Sequence, residues 1–134
     1  MDWYPAFADE LTKIAVGNVA QAVQAFCKDH KLDPSKAVLM GGAAMHVHGM
    51  RPDINDIDMF HPDLRSFTKG HYGGFEVDAG GADHLSPKSR ESVMVSGLHV
   101  QSLPALLDFY QHAPRMNRPK DQPHIAALRA RLRA

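Results

Sequence analysis

Two aspartates two residues apart, in Asp56-Ile57-Asp58, are the strongest chemical signal in this chain. On a β-strand, residues i and i+2 project from one face with Cα atoms roughly 6.5 Å apart, so two carboxylates can converge on a shared cation or on two cations. Hard divalent ions such as Mg²⁺ take oxygen ligands and usually keep waters and substrate phosphates in their shell. Two such ions roughly 3.5–4 Å apart can clamp the attacking and leaving oxygens of an in-line phosphoryl displacement. A third carboxylate from a neighbouring strand completes a site of this kind, and Asp78 or Glu76 can supply it. The competing interpretation has Asp56 and Asp58 capping a turn or lying in solvent. The apolar Ile57 and Met59 argue instead for a strand packed on a core.

Two further pairs precede the aspartates in Val38-Leu-Met-Gly-Gly-Ala-Ala-Met-His-Val-His48. A strand that ends in Gly-Gly and opens a helix offers backbone N–H groups to an anion, and the missing side chains let a phosphate approach. Gly41 and Gly42 are candidates for that task, although most Gly-Gly pairs only mark turns. His46-Val47-His48 has the spacing of metal ligands on a strand. If Ala43–His48 is helical, the two rings diverge by about 200°, whereas helical metal pairs want i,i+3 or i,i+4 spacing. Of the nine histidines, His61 follows the aspartates closely enough to reach their site, and the remaining six are scattered.

These residues need elements to position them. Pro5 to about Lys31 carries Phe7, Leu11, Ile14, Ala15, Ala22, Val23, Phe26 and Cys27 at three- and four-residue spacing, which predicts a helix with one apolar stripe. Cys27 lies on the stripe and is expected in the core. A short buried strand follows over Ala37–Met40, then a helix over Ala43–His48, a strand over Ile54–Phe60 and another over Phe75–Ala79. Ser96-Gly97 between Val93–Val95 and Leu98–Gln101 is a tight-hairpin signal. Ser102 is placed to cap a helix from Leu103 to about His112, with Pro104 in its first turn. Pro114–Pro119 is expected as a loop, and a last helix runs from about Asp121 to Arg133. The sum is an α+β, or mixed α/β, domain: a small central mixed sheet with flanking helices.

At 134 residues the chain suits one domain: an N-terminal helix (about 5–31), a core carrying the site (about 37–101) and C-terminal helices (about 103–133). The formal net charge is zero, so bulk charge draws the chain to neither nucleic acid nor membrane. From Arg115 onward, however, six Arg and Lys face the single acid Asp121, a patch that suits an acidic partner or simply a solvated helix. One cysteine excludes an intramolecular disulfide, and the N-terminus lacks a signal-peptide pattern. No apolar run approaches the ~20 residues that span a bilayer. A cytoplasmic protein without membrane contact is expected.

In this arrangement the chain resembles the nucleotidyltransferase superfamily with the DNA polymerase beta-like fold, in its small bacterial single-domain branch, which includes toxin–antitoxin-type members. That signature is an apolar residue with Gly-Gly or Gly-Ser, a spacer, then Asp-apolar-Asp-apolar. Here Met40-Gly41-Gly42 is followed by thirteen residues and Asp56-Ile57-Asp58-Met59. Gly49-Met50-Arg51 and Arg118-Pro119-Lys120-Asp121 match two further motifs of the branch, so the likeness runs roughly from Val38 to Leu128. The resemblance implies Mg²⁺, with Mn²⁺ as alternative, on Asp56, Asp58 and a third acid. Asp78 is favoured for that role because Val77 and Ala79 flank it, with Glu76 the alternative. It implies Gly41, Gly42 and Arg51 as contacts to a nucleoside triphosphate, with Lys120 a weaker candidate. The reaction implied moves a nucleoside monophosphate to an acceptor (RNA, protein or small molecule) and releases pyrophosphate. Two alternatives stand beside it. One is an interaction module of the toxin–antitoxin type that binds a partner protein with little or no catalysis, and the other is a metal hydrolase using His46, His48, Asp56 and Asp58. The chain departs from the family at Ile54, where many relatives have Thr, near Tyr110-Gln111, where a lysine is common, and at His124-Ile125, which replaces an Asp-apolar pair. These departures bear on substrate more than on fold.

Overall fold

The computed structural model describes residues 5–52, 54, 56–112 and 118–133, with backbone only for 5–16. It is a mixed α+β fold, as expected. Helix α1 (Pro5–Asp29) is followed by strand β1 (Val38–Met40), helix α2 (Gly41–Val47), strands β2 (Asp56–Phe60), β3 (Thr68–Tyr72) and β4 (Phe75–Gly80), the hairpin of β5 (Ser92–Val95) and β6 (Leu98–Gln101), and helices α3 (Leu103–Gln111) and α4 (Gln122–Arg133). The six strands form one sheet in the order β3-β4-β2-β1-β6-β5. β2 runs parallel to β4 and β1 parallel to β6, while the other neighbours are antiparallel.

Register places the acids. Across β2 and β4, Asp56 lies opposite Glu76, Ile57 opposite Val77, Asp58 opposite Asp78 and Met59 opposite Ala79. Ile57, Met59, Val77 and Ala79 are buried almost completely in the main core with Val23, Phe26 and Leu39. Sealing an Ile, Met or Val side chain contributes roughly 1.5–3 kcal/mol, and a one-residue slip of either strand would turn these residues out and the acids in. The core therefore fixes the carboxylates on the opposite face. A smaller apolar cluster of Val38, Met40, Phe60 and Leu85 covers part of that face, beside Phe109.

Strand β3 is an element the sequence patterning missed. Its Thr-Lys-Gly-His-Tyr has no apolar alternation and is half-buried to exposed throughout. Pairing with β4 through a two-residue turn builds it: Tyr72 lies opposite Phe75, and Gly73 and Gly74 both have positive φ. Tyr72 also donates its hydroxyl to Asp29 Oδ2 at 2.6 Å and packs edge-on against Phe26, tying the hairpin to α1. Ser96 (φ 51°) and Gly97 (φ 79°) make the turn expected there, and Ser102 Oγ accepts from Ala105 N at the start of α3.

Other boundaries move. The second helix begins at Gly41, with both glycines in its first turn, and ends at Val47. β2 starts at Asp56, and Asn55 of the expected strand lies outside the described residues. The expected loop Pro114–Pro119 lies outside them up to residue 117, and Pro119 opens a 3-10 turn, Pro119–Asp121, that leads into α4. Cys27 is buried in the core, as its place on the stripe predicts. Among the described residues, no helix is long and apolar enough to cross a membrane.

Candidate functional site

A cavity of about 300 Å³ opens where β1 passes into α2, lined by Gly41, Gly42, Arg51, Asp56, Asp58 and, from the far end of the chain, Arg118, Lys120 and His124, with Phe109 and Tyr110 as an aromatic wall. Segments more than sixty residues apart thus put three cations and three carboxylates (Asp56, Asp58 and Asp121) around one opening. Arg118 is held by Asp121, Nε to Oδ2 at 3.4 Å. Burial depresses the His124 imidazole below its usual range and the nearby Arg51 charge pushes it the same way, against Asp121, so both favour the neutral ring. Its ring centroid lies 5.5 Å from that of Tyr110.

The two glycines have different roles. Gly41 has φ 56°, a left-handed conformation that costs an L-residue roughly 1–2 kcal/mol. Its N–H donates to the buried Gln101 Oε1 at 2.9 Å, so this amide, expected to meet phosphate, holds α2 to β6 instead. Gly42 leaves room for a side chain: a Cβ there would collide with the Arg51 guanidinium. The glycine and the arginine are thus one device that brings a cation into the cavity wall.

Three acids lie close together, a different set from the expected Asp56, Asp58 and one further acid. Asp56, Glu76 and Asp78 each place a carboxylate oxygen within 4.8 Å of the others. Asp58 lies beside them in the register, and its Oδ2 is 3.8 Å from the position a Cβ on Gly41 would occupy. Glu76 and Asp78, offered by sequence as alternatives for the third acid, are therefore both present. Burial pushes the Asp78 carboxyl above the ordinary carboxylate range, and Glu76 and Asp56 push it further, against the pull of Lys69. Asp78 Oδ1 is buried without a hydrogen-bond partner. Lys69 Nζ lies 3.7 Å from Glu76 Oε1 and 4.0 Å from Asp78 Oδ1, too far to donate to the latter.

The histidines go elsewhere. His46 and His48 sit at the end of α2 and donate to different backbone carbonyls, His46 Nδ1 to Arg51 O at 2.9 Å and His48 Nε2 to Gln101 O at 2.8 Å. His61, expected within reach of the aspartates, is buried at the opposite end of β2, where Nε2 donates to Asp33 O and Nδ1 accepts from Asp63 N. Sequence reasoning missed Lys69, because its strand was missed. It also missed Gln101, Phe109, Tyr110 and His124 as members of the site, since nothing local in the sequence shows that the α3 and α4 segments return to the glycines. Compared with known proteins, the chain matches no family model, no curated protein and no solved structure.

Proposed function

We propose that this chain is a divalent-metal-dependent nucleotidyltransferase that moves a nucleoside monophosphate from a triphosphate to a hydroxyl acceptor and releases pyrophosphate. The observation that carries this reading is the convergence in one cavity of Arg51, Arg118 and Lys120 with Asp56 and Asp58, beside the Glu76–Asp78 pair. A polyphosphate needs cations and a hard metal ion needs carboxylates, and phosphoryl transfer needs the two together. The resemblance of the Gly-Gly and Asp-Ile-Asp segments to the nucleotidyltransferase signature supports the same conclusion.

The donor set fits Mg²⁺ or Mn²⁺: every candidate ligand is a carboxylate oxygen, and Asp78 Oδ1 is buried with no hydrogen bond to satisfy it. Asp56 and Asp58 would hold the ion, with Asp78 or Glu76 as the third ligand; bound there, it would neutralise charge developing on the phosphoryl oxygens. The chain's own residues do the rest. Arg51 stands at the glycine edge, and Arg118 and Lys120 close the cavity from the α4 side, so the triphosphate lies between them and the acids. Asp78, with its raised affinity for a proton, takes the proton of the acceptor hydroxyl. The acceptor oxygen bonds to the α-phosphorus as the bond to pyrophosphate breaks. Such a protein works in the cytoplasm, where triphosphates and Mg²⁺ are at hand.

Incubation with α-labelled nucleoside triphosphates, Mg²⁺ and cell extract tests the reading. Wild-type protein is expected to transfer label to an extract component, and Asp56→Asn to reduce transfer by at least about a hundredfold, the scale of losing a group that stabilises transition-state charge. Wild-type protein that neither binds triphosphate nor transfers label would overturn the reading in favour of the interaction module.

A further inference from the structure

We propose that the Lys69 ammonium takes the place of a second metal ion at the acids, so that the site accepts one divalent cation and not two. This rests on the metal-dependent reading of the site and specifies its stoichiometry. Asp56 and Asp58 on β2, and Glu76 and Asp78 beside them on β4, project from one face of the sheet. Strand β3 adds the cation. Lys69 lies opposite Asp78 and His71 opposite Glu76, and directly opposed residues share a face. Lys69 Nζ stands 3.7 Å from Glu76 Oε1 and 4.0 Å from Asp78 Oδ1. Those two acids and Asp56 are the group whose oxygens all lie within 4.8 Å of one another. The ammonium thus borders the carboxylates that a second ion would need.

The fold fixes this placement from the other face of the strand. Positions 70 and 72 face away from Lys69 and His71, toward the side that α1 covers. A Cβ on Gly70 would come within 2.6 Å of Tyr72 Cε2, so glycine there makes room for the Tyr72 ring. From that position Tyr72 donates to Asp29 Oδ2 and packs on Phe26, both in α1. A one-residue slip of β3 would break these contacts and turn Lys69 away from the acids.

Charge then decides what the lysine does. Ionised, the four acids carry four negative charges; one divalent ion offsets two of them and the lysine a third. A unit cation repels a divalent ion twice as strongly as it repels a monovalent one at the same distance. Each carboxylate oxygen that Lys69 draws to itself is also a ligand denied to an incoming ion. Lysine suits the place, since it brings a compact point charge and three rotatable donors on a flexible stem. In a two-ion site a metal meets both the attacking and the leaving oxygen. With Lys69 in one of the two places, the attacking oxygen is left to the chain's own carboxylates.

Electron paramagnetic resonance of Mn²⁺ bound to the protein with a non-hydrolysable triphosphate tests the proposal. Two Mn²⁺ ions roughly 3.5–4 Å apart, the spacing of two-metal sites, couple magnetically, and a single ion does not. Wild-type protein is expected to give the uncoupled spectrum of one ion per chain. Lys69→Met is expected to take up a second ion and give the coupled spectrum, and Lys69→Arg, which keeps the charge, to match wild type. The Lys69 side chain is 57% exposed, so both variants should fold, which circular dichroism checks. A coupled pair in wild type, or no coupled pair in folded Lys69→Met, overturns the role of the lysine; label transfer by wild type in either case leaves the transferase reading intact. Wild-type protein that takes up no Mn²⁺ overturns the metal-dependent reading, and the role of Lys69 with it.

Discussion

Asp78 is the residue at which the fold and the proposed chemistry conflict. Its carboxylate is largely buried beside Glu76 and Asp56, with Lys69 and His71 in opposition. Below the ordinary carboxylate value the proton is bound in both the folded and the unfolded chain, and the group costs nothing. As pH rises through the higher folded value, the folded chain must hold a charge that the unfolded chain holds more easily, and stability is lost. Asp78→Asn should therefore unfold at a higher temperature than wild type at pH 7 without metal, by a few degrees, and at the same temperature near pH 3. Adding Mg²⁺ should raise the wild-type midpoint more than that of the variant. Scanning calorimetry reads both, and equal metal-free midpoints at pH 7 would contradict the assignment. The four acids were legible in the sequence because alternation along a strand is a local, periodic signal. Lys69 was not, because its meeting with them depends on which strand pairs with β4.

At the scale of elements, Gln101 shows how the site is held. It is fully buried at the end of β6, accepts the Gly41 N–H and donates through Nε2 to Ser89 O at 2.8 Å. One side chain thus joins the start of α2, the last strand and the 3-10 turn Lys88–Arg90. That turn is tied in turn to α3, where Asp108 accepts from Ser86 and Ser89 hydroxyls at 2.6 and 2.7 Å. Gln101→Leu would strand a buried amide and a carbonyl at roughly 1–3 kcal/mol each, partly offset by the added apolar burial. A net loss of roughly 2–4 kcal/mol in urea unfolding is expected; an unchanged midpoint would contradict the clamp. Polar residues at strand ends give no such signal in a sequence, since Gln101 has the same local pattern whether it faces solvent or a helix start. For the same reason the glycines were expected as a phosphate loop before the helix, whereas Gly41 lies within it with its amide used by the fold. β3 escaped notice because its stability comes from a neighbour and a glycine turn, not from its own apolar pattern.

Across the whole molecule, the sheet separates two tasks. One face, sealed by α1 and α2, supplies the core, and the other carries the acids beside the cavity. Zero net charge hides this polarity, because Arg51, Arg118 and Lys120 gather at one cavity while Asp56, Glu76 and Asp78 gather beside it. The helix-and-strand composition was legible from periodicity, and the C-terminal excess of basic residues was visible. What they approach is set by how α3 and α4 fold back over the glycines, which is a tertiary matter. A crystal grown with Mn²⁺ and a non-hydrolysable triphosphate, with manganese located by anomalous scattering, tests the central claim most directly. The account predicts manganese on Asp56 and Asp58 with Asp78 or Glu76, and phosphates between that ion and Arg51, Arg118 and Lys120. Triphosphate bound elsewhere, or manganese absent from these carboxylates at saturating concentration, would contradict it.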